Sequence, residues 1–64
     1  MPRWMGWYRD NYAKRKRRWK AEEKSVSGQL WDCLRFMEDN YSGKDDRYSV
    51  VVLKVPEVPW RVEK

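Results

Sequence analysis

The sequence predicts an α+β fold: two helices, over about 4–23 and 27–41, packed on an antiparallel β-hairpin with strands at about 47–55 and 58–63, in the order α-α-β-β. Three observations carry this reading. Aromatic residues recur at helical spacing in the first third of the chain. A second apolar stripe at helical spacing follows the interruption "SVSG". The last third then opens on the β-branched run "RYSVVVLKV".

The first helix rests on Trp4, Tyr8, Tyr12 and Trp19, which fall on one stripe about 80° wide when placed on a wheel at roughly 100° per residue. Its opposite side carries Arg9, Lys14, Lys16, Arg17, Arg18 and Lys20, with Trp7 between Lys14 and Arg18. Arg15 projects into the aromatic stripe, where it can stack on a ring or reach past it to water. Ser25 or Ser27 caps the second helix by accepting from its free backbone N–H groups. Leu30, Leu34, Met37 and Tyr41 then form its inward stripe beside Cys33, with Trp31 on the exposed flank. Gly43, tolerant of the left-handed conformation, ends that helix. Beyond the loop "SGKDD", the run at 47–55 reads as a strand. In the closing "VPWRVEK", Val58, Trp60 and Val62 alternate onto one face, and Pro56 and Pro59 keep that strand short or at an edge.

Sixty-four residues make a single small domain, residues 1–64, with a thin core. A chain of this size buries only about 60% of the surface that its unfolded form exposes. Disulfides within one chain are excluded because Cys33 is the sole cysteine, and with no histidine a metal site has almost no ligands to draw on. Aromatic packing takes their place: 16% of the residues are Phe, Trp or Tyr, each able to bury roughly 150–250 Å². No apolar run approaches the ~18 residues of a transmembrane span, and the N-terminus shows no signal-peptide core. These features imply an intracellular, cytoplasmic protein, placed in a nucleoid or nucleus if it binds nucleic acid.

The net charge of +5 is unevenly placed. Residues 1–24, the basic N-terminal helix, hold nine cations against three carboxylates, whereas residues 25–64 are net acidic by one. Such asymmetry points to an anionic partner. The run "KRKRR" at 14–18 supplies phosphate-binding groups, and neutralising phosphates releases condensed counterions, giving affinity without sequence readout. Arginine suits the task because its planar fork grips phosphate oxygens in pairs. The second helix carries Asp32, Glu38 and Asp39 against Arg35, a poor composition for reading a groove.

The expected function is therefore nucleic-acid binding, to a DNA or RNA backbone or else to an acidic protein surface. Lys14, Lys16, Arg17, Arg18, Lys20, Arg9 and Trp7 form the candidate surface. The alternative is a small regulatory or inhibitory protein that holds another protein through exposed Trp and Arg, with Trp31 and Trp60 at the interface. A membrane-surface role is disfavoured, since the aromatic stripe is needed for the core. The edge of the "SVVVLKV" strand can pair with a second copy to give a homodimer. No catalytic residue, small-molecule substrate, metal or cofactor is expected: without histidine the commonest general base is missing, and Cys33 lies on the inward stripe with nothing to activate it.

Overall fold

The computed structural model describes residues 2–14, 18–41 and 46–62. Two strands, β1 (Trp4–Asp10) and β2 (Lys20–Ser27), come first, followed by helix α1 (Leu30–Tyr41), strand β3 (Tyr48–Lys54) and the short helix α2 (Pro59–Val62). The three strands form one antiparallel sheet in the order β2-β1-β3, so α1 carries the chain across β1 from one edge of the sheet to the other.

This corrects the expected order α-α-β-β. The first helix, at about 4–23, is absent. In its place stand β1, a connection and β2, and Lys14 and Arg18, the described residues of the basic run, lie between the two strands and not on a helix. The physical reason lies in β1. As the central strand it is covered on both faces, so it shows no polar alternation, and its aromatics at 4, 7 and 8 mimic a helical stripe. By register, Trp4, Gly6 and Tyr8 share one face with Lys54, Val52 and Val50, while Met5, Trp7 and Arg9 share the other with Leu53, Val51 and Ser49. In β2, "KAEEKSVS" is rich in helix formers but has no apolar stripe to bury, and the strand lies at a sheet edge where charge is tolerated.

The expected strand at 58–63 is also corrected. Lys54–Glu57 form a turn that contains the cis Val55–Pro56 peptide bond and closes with Glu57 N–H donating to Lys54 C=O at 2.8 Å. Pro59 then sits at the first helical position, where its fixed φ is pre-set and its missing N–H costs nothing. The expected helix at 27–41 begins later, at Leu30, and the expected strand at 47–55 is trimmed to Tyr48–Lys54. Gly43 and most of the loop "SGKDD" lie outside the described residues.

α1 closes the Gly6 face. Met37 and Cys33 are its buried residues. A Cβ on Gly6 would collide with the Met37 side chain, so glycine is what lets the helix approach the strand. Opposite Met5 the β1–β2 ladder is interrupted, because Trp4 pairs with Ser27 but Gly6 with Glu22. Ser25 bridges the break. Its buried Oγ accepts from Gly6 N–H at 2.8 Å and donates to Glu22 C=O at 2.6 Å. At the helix entrance Ser27 Oγ accepts from Gln29 N–H at 3.1 Å, so of the two serines offered as the cap it is Ser27 that stands there, while Ser25 serves the sheet. On the opposite face Trp60 of α2 packs edge-on against the buried Trp7, with ring centroids 5.5 Å apart.

Candidate nucleic-acid interface

The end of the sheet where β1 stops and β2 and β3 start is built from short polar side chains. Asp10 Oδ1 accepts from Tyr12 N–H at 2.9 Å and Asp10 C=O from Ala13 N–H at 3.3 Å, an Asx-type turn that swings the chain away from β1. Asn11 fastens this turn to the start of β3. Its N–H donates to Arg47 C=O at 2.7 Å, and its Nδ2 donates to Asp46 C=O at 3.0 Å and Ser49 Oγ at 2.9 Å. Asp46 adopts φ 57°, a left-handed conformation that aspartate tolerates better than most residues.

Cations converge on this end from around all three strands. Arg9 is the penultimate residue of β1, Lys20 opens β2 opposite Tyr8, and Arg47 precedes β3. Lys14 and Arg18 are exposed on the connection between β1 and β2. The Arg9 guanidinium lies 4.7 Å from the Trp19 ring centroid, on the face away from α1. Arg47 meets Asp10 Oδ2 at 3.4 Å and stands 5.3 Å from the Tyr48 ring centroid. Among the described residues, Asp10, Glu22 and Asp46 are the nearby carboxylates, and two of them have structural work. The Tyr12 N–H, and secondarily Arg47, hold the Asp10 carboxyl below the usual carboxylate range against the opposing effect of desolvation. Glu22 accepts from the Tyr41 hydroxyl.

Behind this surface the rings of Tyr8, Tyr41 and Tyr48 form a cluster. Tyr8 and Tyr41 are stacked at 4.5 Å, and Tyr48 stands edge-on to both. Burial, and then the Glu22 carboxylate, push the Tyr41 phenol well above its ordinary value. Loss of solvent likewise pushes the Cys33 thiol up, more than the Ser25 hydrogen bond draws it down, so it is a packing group and not a poised thiolate.

The structure thus gathers Arg9, Lys14, Arg18 and Lys20 at one end of the sheet. Lys16 and Arg17, with Arg15, lie outside the described residues. Trp7 is not at the surface with them: it is 7% exposed in the core, because its face of β1 is covered by Trp60. Tyr12, expected to anchor inward, is instead 59% exposed at the basic end. Trp31, 75% exposed, lies at the first turn of α1 beyond the opposite end of β2, and Trp60, 59% exposed, lies on α2. Sequence reasoning missed Arg47 and the pairing of Arg9 with Trp19. The turn-forming "DN" at 10–11 was the available signal, since it marks a hairpin connection and would have set the cations on a loop between strands.

Among the described residues no group of three His, Cys, Asp or Glu could hold a metal ion, and no helix is long and apolar enough to cross a membrane. No family model, curated protein or solved structure matches the chain.

Proposed function

We propose that this protein binds nucleic acid at the basic end of its sheet, mainly through phosphate contacts that carry little sequence information. The observation that supports it is the convergence of Arg9 and Lys20 from two strands, Lys14 and Arg18 from their connection, and Arg47 from the lead-in to the third strand onto a single end. The exposed Tyr12 ring beside these cations offers a face on which an unpaired base can stack. Affinity for a labelled oligonucleotide, measured by anisotropy across salt concentrations, tests the proposal. The logarithm of the binding constant should fall steeply with that of salt. Replacing Lys14, Arg18 and Lys20 together by Gln should lower the slope by about 3, roughly one per lost phosphate contact. A slope near zero for the unaltered protein would sink the proposal.

One observation favours a second reading, a regulator that holds another protein. Val26, Leu30 and the strongly exposed Trp31 sit together in sequence around the β2–α1 corner, away from the basic end. A large exposed tryptophan near an arginine, here Arg35 one turn on, is common hot-spot chemistry. Capture from nuclease-treated lysate separates the two readings. A stoichiometric partner that survives the nuclease and is lost with Trp31→Ala supports the second.

A further inference from the structure

The two edges of the sheet differ. The edge strand β2 exposes Lys20, Glu23 and Lys24 and is broken by the irregularity at Ser25, features that blunt an edge against further pairing. Strand β3, the other edge, has no charged residue from Tyr48 to Leu53 and runs in unbroken register along β1. Its hydrogen-bonding parity is fixed at both ends. Arg47 C=O accepts from Asn11 N–H, and Val55 N–H donates to Arg3 C=O, so the odd-numbered residues turn their backbone groups toward β1. Successive residues of an antiparallel strand turn these groups to opposite sides. Tyr48, Val50 and Val52 therefore direct theirs outward, and among the described residues no strand takes them up.

We propose that this edge pairs antiparallel with β3 of a second copy, centred on Val50, to give a continuous six-stranded sheet. The chemistry of the edge selects the register. With Val50 opposite its own counterpart, Tyr48 stands opposite Val52, and Lys54 lies past the start of the other copy's β3, on the side of the turn that holds Asp46. All three outward-facing residues then find partners, each pair exchanging two bonds, about six in all. Lys54 is thereby brought to the end of the other copy that carries the exposed Asp46, and Arg47 falls toward the apolar Leu53. A register shifted to centre on Val51 would bring Lys54 into the ladder, although its C=O already accepts from Glu57, and would leave it facing Tyr48 with no opposing charge. Complementarity of this kind fits a second copy better than an unrelated strand, because the edge supplies both members of the pair. The two-fold also sets the basic end of one copy beside the far end of the other, which keeps the cations apart. Val50, 43% exposed on the α1 face of the edge, is covered across the seam.

Sedimentation equilibrium of the nuclease-treated protein over a wide concentration range tests the proposal. The mass of the unaltered chain should climb from 8.0 kDa toward twice that value. Val50→Lys places two ammonium groups face to face on the axis. It should stay at the monomer mass while keeping the circular-dichroism spectrum of the unaltered chain. A monomer at every concentration overturns the proposal, as does a Val50→Lys protein that dimerises as well as the original, since the interface would then lie elsewhere. Should that variant fail to fold, amide exchange of the unaltered chain decides. The N–H groups of Tyr48, Val50 and Val52 should slow as concentration rises, and exchange independent of concentration overturns the proposal.

Discussion

The face of the sheet under α1 and the face under α2 are closed by different means. Twelve residues of helix lie over the first, and they approach β1 closely because Gly6 leaves room for Met37. Cys33, Ser25 and Met37 are all buried there, and the tyrosine cluster seals the basic end. Over the second face the short α2 contributes the buried Pro59 and one ring, Trp60, set edge-on over Trp7. Trp60 is itself 59% exposed, and Trp7 Nε1 is buried without a hydrogen-bond partner among the described residues. The contrast indicates where stability resides. The α1 face is an interlocked core, while the α2 face is a thinner cover centred on Trp7.

The strongest way to break that contrast is at Met37. Met37→Ala removes a fully buried side chain and leaves a cavity against Gly6, with an expected loss of about 2–5 kcal/mol in urea denaturation. Gly6→Ala alone overpacks the same contact and should cost about 1–3 kcal/mol. Combined, the two should cost clearly less than their sum, because the new methyl fills part of the space that Met37 vacates. Strict additivity would mean that the close approach of helix and strand is not what requires glycine.

The same contrast explains what the sequence could reveal. α1 presents one buried stripe and one wet side. Of the stripe expected from Leu30, Leu34, Met37 and Tyr41 with Cys33 beside it, Met37 and Cys33 are buried, while Leu30, before the helix settles on the sheet, is exposed. In β3 the run of valines has strand chemistry whatever covers it. β1 was illegible because two covers erase alternation: Met5 and Trp7 on the α2 face interleave with Trp4 and Tyr8 on the α1 face, and the mixture resembles a helical wheel. β2 was illegible for the opposite reason. It buries almost nothing except Ser25, so no apolar period survives. Misreading those two strands displaced the candidate site as well. Lys14 and Arg18 stand out in the sequence as part of a cationic run, but Arg47 is brought to the same end of the sheet by strand pairing, which local periodicity does not encode.

A smaller effect is expected at the thin cover. Trp60→Ala should cost about 1–2 kcal/mol, since an aromatic pair adds roughly 0.5–1.5 kcal/mol beyond area and most of the Trp60 ring is already in water. The sharper measurement is exchange of the Trp7 indole N–H, followed by NMR. Removing Trp60 should admit solvent to that group and speed its exchange, while the Cys33 and Met37 amides keep theirs. If exchange at Met37 quickened equally, the two faces would be one cooperative core and the contrast would fail.

The smallest expected effect tests how the basic end is tied to the α1 face. Tyr41, in the last turn of α1, stacks on Tyr8 of β1, meets Tyr48 of β3 and donates to Glu22 of β2, so one phenol joins the helix to all three strands. Tyr41→Phe keeps the ring contacts and removes the hydroxyl, for an expected loss at neutral pH of about 0.5–1 kcal/mol, reduced by partial exposure. The pH dependence gives the more specific signature. Burial and the neighbouring carboxylate keep the Tyr41 proton on in the folded state beyond the pH at which the unfolded chain releases it. Above about pH 10 the folded state therefore holds the extra proton, and stability should fall as pH rises through that range. Denaturation measured on both sides of that pH should show the decline in the unaltered protein and a flatter profile in Tyr41→Phe. Parallel profiles would mean that the phenol is not held against the Glu22 carboxylate, leaving ring stacking alone to join helix and sheet at the basic end.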